Sequence, residues 1–511
     1  MSVDVKVEVM NLAGINNRSE KKTSFALWAL LSLYVYMPLP LASNRPWALA
    51  LLGIMVGLLS IWHICFSHER KDSSSLSVAP RDAGGMWQRA HVLAVLLILW
   101  VILLAIQVVP VPVSWVGMFD WNTSDAFPIL LGQTATLSVD AYSTQLYLAK
   151  ACIYLAMLWL TFDLVKTAAQ IELLAKTLVF SGFAQAVIAV LLLANAAHYI
   201  LFFVPIEHLA RAKGTFVYHN HFAGYMELTL AVGIGLMIAK LEDKHAKNWK
   251  QRLRNWLALL MSEKVRLRIV LIIMVIGLIA SRSRMGNSAF FISLLAVGFI
   301  AIVLSKNATR STIIFITSLI VLDVVIIGGV VGVEKVIHRI EATNLHNRAQ
   351  QASNSKVVGD MVVKVDTASE ESVEERLGPG MHSLKMVEDF PVLGTGGGTY
   401  HLAFFPYRPL EVRGYFDHAH NDFFEFATEV GLVGMLLLAG MVLHSLYSSI
   451  RILLDRHSQF ARGMAFASMM GVLTLMIHSA VDFNLQNTTN AMLFLVVMSL
   501  PYLVGTRSRS V

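Results

Sequence analysis

The sequence contains few charged residues and almost no cysteine. Asp, Glu, Lys and Arg together make up 15% of the 511 residues, whereas soluble domains contain about 25%. Because 56% of the residues are hydrophobic as well, the shortage of charge indicates a protein embedded in a lipid bilayer. The two cysteines, Cys65 and Cys152, both lie in apolar runs, so we expect neither a disulfide nor a metal ligand from them.

Apolar runs long enough to cross a bilayer recur along almost the whole chain. A membrane-spanning helix needs about 20 mostly apolar residues. Twelve such runs cover residues 24–43, 46–66, 90–110, 144–164, 173–196, 221–240, 267–281, 287–305, 312–333, 430–450, 463–481 and 489–505. The sequence therefore predicts an all-α polytopic membrane protein with about twelve transmembrane helices, and the polar first 23 residues predict no cleavable signal peptide.

The distribution of Lys and Arg predicts the side of the membrane that each loop faces. With the N-terminus in the cytoplasm, most of these cations fall in cytoplasmic loops, as the positive-inside rule requires. The short outer loops then hold only Arg45, Arg211, Lys213, Arg282 and Arg284. We therefore expect a bacterial inner-membrane protein with both termini in the cytoplasm.

The same pattern divides the chain into three parts. Residues 1–333 are predicted to form an N-terminal membrane domain of about nine spans. Residues 334–420 form one large periplasmic loop region, and residues 421–511 form a C-terminal group of about three spans.

Two histidines stand beside acids at the outer mouth of the tenth span. His418 and His420 lie between Asp417 and Asp422. Histidine accepts a proton near neutral pH, and an adjacent carboxylate can orient it and raise its basicity. A zinc site is the weaker interpretation, because His-x-His lacks the diagnostic spacing of known zinc motifs. The pattern favours an acid–base site without a metal.

Arginines form a second group on the outer side. Arg282 and Arg284 lie in a tight turn between two spans, where the positive-inside rule opposes them. A bound phosphate would compensate their charge, because a guanidinium matches phosphate oxygens in two-pronged fashion. Pairing with a distant acid or carbonyl is the structural alternative. Arg211, which precedes Asn220 and the sixth span, is either a further phosphate ligand or a snorkelling cation near an Asn helix cap.

Two further polar segments admit structural interpretations. Arg376 lies in the large loop and is followed by a Gly-rich run at 391–399, which forms either a close approach to a ligand or a simple loop. His478 and Asp482 are four residues apart, which predicts a shared helix face and a polar pair between spans.

In this order, the motifs resemble those of the O-antigen ligase and O-antigen polymerase superfamily. The matching residues are Gly214-Thr215-Phe216 with Asn220 and Ala223, Ser283-Arg284-Met285-Gly286, Arg376 with Pro391, Gly394 and Gly396, and His420-Asn421 with Gly431 and Gly434. Met285 departs from the family's Ser-Arg-Gly turn. Each motif is short, but together they span residues 211–434.

The resemblance implies a membrane glycosyltransferase with a GT-C-like fold. Such enzymes take a glycan from undecaprenyl pyrophosphate at the periplasmic face, with inversion at the sugar and without a metal or another cofactor. The acceptor is lipid A–core in ligases of lipopolysaccharide biosynthesis, or a second lipid-linked repeat unit in polymerases of O-antigen or exopolysaccharide. The sequence leaves ligase and polymerase open, and the expected partners are these lipids and the membrane rather than nucleic acid.

The chemistry of this reaction assigns an expected role to each group. A sugar hydroxyl benefits from a positioned base, for which His420 is the first choice, oriented by His418 or Asp417. A pyrophosphate leaving group needs cations, for which Arg284 and Arg376 come first and Arg282 and Arg211 second. The expected supporting residues are Asn220, Asn421, Gly431 and Gly434.

Two other classes of function compete with this interpretation. A transporter or flippase of a lipid-linked or small polar substrate has a similar number of spans, but it places substrate charges near the midplane. The charges in this sequence lie at the outer mouth instead. A membrane zinc hydrolase would rest on His418 and His420 alone.

Overall fold

The computed structural model of the chain describes a set of packed helices. It describes residues 24–68, 83–112, 134–195, 199–200, 204–205, 211–240, 263–304, 357–358, 361–362, 381–408, 417–454 and 458–504. Among these residues, eight helices are long and apolar enough to cross a membrane, and shorter apolar helices lie at Phe25–Tyr36 and Thr488–Val504. The chain is thus an all-α polytopic membrane protein, as the sequence predicts.

The helices follow the apolar runs of the sequence. In chain order they are α1 (Ser24–Tyr36), α2 (Pro46–His68), α3 (Ala83–Val108), α4 (Ala141–Leu164), α5 (Ala168–Ala194), α6 (His219–Ala239), α7 (Glu263–Ala280), α8 (Arg284–Leu304), α9 (Leu384–Asp389), α10 (Tyr400–Ala403), α11 (Asp422–Leu454), α12 (Gln459–Ser479) and α13 (Thr488–Val504). Short 3-10 helices lie at Leu41–Ser43, Phe405–Tyr407 and Asn484–Gln486. The predicted span 312–333 and most of the loop region 334–420 lie outside the described residues.

The strands form three short antiparallel hairpins. They pair β1 (Val111–Pro112) with β2 (Thr134–Ala135), β3 (Tyr199–Ile200) with β4 (Val204–Pro205), and β5 (Val357–Val358) with β6 (Met361–Val362). Each strand has two residues, so the hairpins leave the helical character of the fold unchanged.

The core lies around α6 and α12. In α6, 94% of the most apolar stretch is buried inside the protein, compared with 22% in α2. The two central helices approach closely, because a Cβ on Gly235 of α6 would lie 2.4 Å from the carbonyl oxygen of Gly463 of α12. Small residues permit such contacts in a membrane, where helices associate by packing. At the periphery, α2 directs apolar side chains such as Leu58 outward, as a lipid-facing helix does.

A buried polar network joins the two central helices. Nδ1 of His478 on α12 lies 2.7 Å from a carboxylate oxygen of Glu227 on α6, and Thr474 donates to the other oxygen at 3.0 Å. These polar groups satisfy one another in an interior where unpaired groups are costly. The predicted pairing of His478 with Asp482 is wrong, because α12 ends before Asp482, whose carboxylate accepts a hydrogen bond from Asn220 instead.

The helix α11 is interrupted at Gly431, and the loop 391–396 packs into the break. Gly431 has φ 59° and ψ −165°, which lie outside the helical range. The Leu432 amide donates to the carbonyl of Pro391 at 2.8 Å, and the Gly396 amide donates to the carbonyl of Glu429 at 2.9 Å. The loop therefore supplies partners for backbone groups of the broken helix, which could not remain unpaired in a membrane interior.

Close approach of the two backbones requires glycine on both sides. A Cβ on Gly431 would lie 2.4 Å from the carbonyl oxygen of Val392, and a Cβ on Gly394 would lie 2.3 Å from the carbonyl carbon of Glu429. Both glycines also have positive φ. At Gly394 the Gly-rich run therefore makes a close backbone approach to α11.

Candidate functional site

The ring of Phe483 gathers aromatic and histidine side chains at one end of the helix bundle. This end, which we call the histidine end, contains residues 417–422 and 480–487. His418 stacks on Phe483 with ring centres 4.3 Å apart, and His420 meets the ring edge-on at 5.1 Å. Tyr218 stacks on it at 5.6 Å. Phe483 was not predicted as a site residue, since an aromatic residue next to a span has no distinguishing sequence signal.

His418 is held by a buried carboxylate. Its Nδ1 lies 2.6 Å from one oxygen of Glu425, and the other oxygen accepts a hydrogen bond from the Ala419 amide at 2.9 Å. Glu425 is on the first turns of α11 and is only 1% exposed. Burial lowers the pKa of His418, but the charge and hydrogen bond of Glu425 outweigh burial, so the pKa lies above its ordinary value.

The His420-Asn421 motif forms the start of α11. Asn421 accepts hydrogen bonds from the amides of Phe423 and Phe424 at 2.9 and 3.1 Å, so it caps the helix. Its side-chain nitrogen donates to the carbonyl of Ala480 at 2.6 Å. His420 precedes the cap with φ 52°, a left-handed conformation that costs non-glycine residues energy and is concentrated at functional sites.

Hydrogen bonds fix the surroundings of the motif. Asp422 accepts from the Ser479 hydroxyl at 2.6 Å and from the Leu485 amide at 3.0 Å, which ties α11 to the segment after α12. Asn220, near the start of α6, donates to the Tyr218 hydroxyl at 2.8 Å and to Asp482. Asn220 is therefore a link between helices rather than the helix cap that the sequence also allowed.

The predicted arginine group lies at a corner formed by α6, α7 and α8. Arg282 has φ 53° and is exposed in the turn, and Arg284 is exposed as the first residue of α8. A backbone hydrogen bond of 3.0 Å from Ala212 to Ala280 brings the segment of Arg211 to this turn. The corner therefore collects three of the four predicted phosphate ligands.

Two details distinguish members of this group. Arg211 donates to Nε2 of His219 at 2.8 Å, so it has a partner within the protein. In the turn, the Ser283 hydroxyl accepts a hydrogen bond from the Gly286 amide, and a Cβ on Gly286 would lie 2.8 Å from Glu227. The serine thus caps the first turn of α8, and the glycine lets α8 approach α6 closely. Arg376, the fourth predicted phosphate ligand, lies outside the described residues.

A polar cavity of about 310 Å³ opens beside His418. Its charged and hydrogen-bonding lining residues include Arg45, Tyr147, Lys150, His401, Asp417, His418, Glu425, Glu429 and Gln486. Asp417 lies at its exposed rim. Asp417 and His418 line this cavity, whereas His420, Arg211, Arg282 and Arg284 do not.

Sequence reasoning missed Lys150, Glu425 and Glu429, although a signal was available. Each is a charged residue inside a helix that is otherwise apolar enough to span a membrane, and such residues are functional candidates by default. Glu425 and Glu429 are also four residues apart at the start of α11, on one helix face.

Comparison with known proteins identifies the central part of the chain. Residues 269–439 match a family described as O-antigen ligase. The match begins in α7 and ends within α11, so it contains Arg282, Arg284, His418 and His420 and leaves out Lys150. A search of curated proteins found no match. The resemblance inferred from the sequence motifs is thus confirmed over residues 269–439.

Proposed function

We propose that this chain, with its O-antigen ligase domain, is an inverting glycosyltransferase with a GT-C-like fold and about twelve spans. It moves a glycan from undecaprenyl pyrophosphate to a sugar hydroxyl of an acceptor, without a metal or cofactor. In this proposal both termini are cytoplasmic, and the histidine end faces the periplasm of a bacterial inner membrane. The acceptor is lipid A–core for a ligase, or a second lipid-linked repeat unit for a polymerase.

The observation that carries the proposal is the arrangement around the family's His-Asn motif. His420 and His418 both contact Phe483, and His418 is bonded to the buried carboxylate of Glu425 next to a polar cavity. The arrangement places His418, fixed by its bond to Glu425, beside space for a polar substrate, with His420 on the same Phe483 ring. An oriented histidine and a substrate space are elements that general-base catalysis needs.

The two histidines take different roles in the proposed reaction. Glu425 holds Nδ1 of His418 at 2.6 Å, so His418 takes the orienting role. His420, the histidine of the family's His-Asn motif, is the base. Asp417, at the exposed rim of the cavity, would add to the field at the two histidines.

The reaction balances with these groups alone. The acceptor hydroxyl oxygen attacks the anomeric carbon opposite the departing phosphate, and its proton passes to His420. The bond between the anomeric carbon and the phosphate oxygen breaks, and its electron pair leaves with the pyrophosphate. Arg284 and Arg376 are the first choices, and Arg282 and Arg211 the second, for the cations that stabilise the charge growing on the leaving group.

The supporting residues hold this arrangement in place. Asn421 caps α11 directly after His420, and Asn220 joins α6 to the segment that bears Phe483. Gly431 admits the loop 391–396 into α11, and Gly434 lets α11 pass close to Leu103 of α3. These contacts fix the position of His420 relative to the polar cavity.

The broken helix α11 is the observation that favours a transporter, because discontinuous helices form ion and substrate sites in many transporters. In this chain the loop 391–396 fills the break, and the carbonyl oxygens of Thr428 and Glu429 accept hydrogen bonds from its amides. Carbonyls that are bonded in this way are poor ligands for a transported ion. Glycosyl transfer therefore remains the better-supported function.

The direct test is a transfer assay with purified protein in liposomes. Undecaprenyl-pyrophosphate-linked repeat units would be supplied with and without lipid A–core, in the presence and absence of EDTA. We expect transfer that EDTA leaves unchanged, and a loss of about 10²–10⁴-fold in turnover for His420→Ala. The exposed His382 provides a matched control, since His382→Ala should retain turnover.

Each component of the proposal has its own contradicting result. The absence of transfer to both acceptors would refute the function. Inhibition by EDTA would refute the metal-independent mechanism, and near-normal turnover of His420→Ala would refute the choice of base. Arg284→Ala should lose about a hundredfold or more in turnover, and unchanged turnover would remove it from the leaving-group site.

A further inference from the structure

An apolar groove adjoins the polar cavity. It has a volume of about 310 Å³ and lies between α3, α4, α11, α12 and α13. Its lining includes Leu97, Trp100, Phe426, Leu438 and Met498. Leu443, also in the lining, is 64% exposed, so the groove opens to the outside of the helix bundle. The volume is at the lower end of the range of ligand sites and suits a segment of one hydrocarbon chain.

Lys150 marks the place where the groove meets the polar cavity. It lines both, together with Tyr147 and Gln486. Its ammonium group lies 5.8 Å from the centre of the Tyr147 ring. In the part of the chain that the structure describes, it makes no ion pair or hydrogen bond. A lysine inside a membrane-spanning helix is expensive, so this position is a candidate for binding an anion, beside the carboxylates of Glu425 and Glu429 that already act on its charge.

Of the two acids that face Lys150, Glu425 has hydrogen bonds on both carboxylate oxygens and Glu429 on one. Glu425 bonds to His418 and to the Ala419 amide, and Glu429 accepts a hydrogen bond from the Tyr400 amide at 3.1 Å. Carboxylates have further lone pairs that accept hydrogen bonds from hydroxyl groups. The polar cavity is therefore suited to a sugar, and Lys150 remains available for a phosphate.

The lining thus changes in a fixed order, from apolar side chains to a cation and then to hydrogen-bond acceptors. A polyprenyl-phosphate-linked glycan contains hydrocarbon, phosphate and sugar in the same order. We propose that the groove, Lys150 and the polar cavity together bind such a lipid as the acceptor of the reaction. The proposal rests on the proposed function and makes the enzyme a polymerase rather than a ligase.

The donor has a separate place in this scheme. Arg211, Arg282 and Arg284 line neither the groove nor the polar cavity. Phe483 lies between the two regions, because it contacts His418 and also Tyr218, whose neighbour His219 accepts a hydrogen bond from Arg211. Two lipid phosphates would therefore lie on opposite sides of the histidines. Lipid A–core carries several acyl chains on phosphorylated sugars, which a groove for one chain does not accommodate.

Lipid counting tests the site without relying on catalysis. Native mass spectrometry of the purified protein would use undecaprenyl pyrophosphate as the probe, with undecaprenol, which has no phosphate, as the background. We expect two bound lipids for the unaltered protein and one for Lys150→Ala, whose affinity at this site should fall about tenfold to a hundredfold. Lys166→Ala, just beyond the other end of α4, should still bind two.

Two substitutions on α11, one inside the groove and one outside it, test the apolar part of the site. Ala439 lines the groove, and Leu436 is 62% exposed and does not line it. Ala439→Trp should lose the second lipid, whereas Leu436→Trp should keep it. One bound lipid in the unaltered protein, or two in both Lys150→Ala and Ala439→Trp, would overturn the site.

Transfer assays separate this proposal from the proposed function. With a lipid-linked acceptor, Lys150→Ala and Ala439→Trp should raise the KM for the acceptor about tenfold or more and leave the KM for the donor unchanged. Transfer to lipid A–core alone would refute the acceptor proposal and leave glycosyl transfer standing. Two bound lipids without transfer to any acceptor would refute the proposed function and leave the binding site standing.

Discussion

Replacement of Gly431 by alanine should destabilise the protein, because this residue allows a loop to enter a helix. Its φ of 59° and ψ of −165° lie in a region that is essentially restricted to glycine, and other residues there cost about 1–3 kcal/mol. The added Cβ would also lie 2.4 Å from the carbonyl oxygen of Val392 and 2.7 Å from the Gly394 nitrogen. Since these are backbone atoms, they cannot rotate away, so we expect a total loss of about 3 kcal/mol or more.

Gly440 in the same helix provides the matched control. A Cβ there would meet only the side chain of Leu96, at 3.3 Å, and alanine is favoured over glycine in a helix interior by about 1 kcal/mol. Thermal unfolding in detergent, followed by size-exclusion chromatography, would compare Gly431→Ala with Gly440→Ala. We expect a clearly lower melting temperature and lower transfer activity for Gly431→Ala only, because displacement of the loop moves Glu425 and Glu429. Equal melting of the two variants would refute the reasoning.

Two further predictions concern the start of α11. The pKa of His418 lies above its ordinary value of 6.5, so its pair with Glu425 stabilises the fold fully below pH 6.5 and loses this effect as pH rises through the higher folded pKa. Melting temperatures between pH 5 and 9 should therefore fall more steeply for the unaltered protein than for Glu425→Gln, and parallel curves would contradict the pairing. Asn421→Ala should lose about 1 kcal/mol of stability, measured by chemical unfolding in detergent, whereas Asn421→Asp should keep the helix cap, and equal losses would contradict the capping role.

The helices were predictable because the bilayer imposes the same two requirements on every span. Each span needs enough apolar length, and its backbone groups must form their hydrogen bonds within the helix. Both properties can be read from a single sequence. The helix α7 begins at Glu263, a few residues before the apolar run 267–281, because a helix continues into polar surroundings where hydropathy falls. The break at Gly431 was also hidden, since its cause is the loop 391–396, 35 or more residues earlier in the chain.

The candidate site was only partly predictable for a similar reason. His418 and His420 are two residues apart at a span boundary, so they could be proposed as site residues from the local sequence. Glu425 and Lys150 belong to the same cavity, yet Lys150 comes from a helix more than 250 residues before α11. The wrong pairing of His478 with Asp482 has the same origin, because the partner of His478 is Glu227 on α6. Pairings of this kind depend on helix packing, which hydropathy and motif spacing do not specify.

The packing of the loop 391–396 into α11 gives a physical reason for two motifs to occur together. Glu425 and Glu429 lie beside the polar cavity, and their positions depend on how the first turns of α11 are held. Gly431 opens the helix, and Gly394 allows the loop backbone to reach it, so neither glycine is useful without the other. Because the Glu429 carbonyl accepts a hydrogen bond from the loop and its side chain lines the cavity, the loop sets the position of the cavity wall directly. The Gly-rich run is therefore part of the site in two ways, because 391–396 packs into α11 and Gly398 lines the polar cavity.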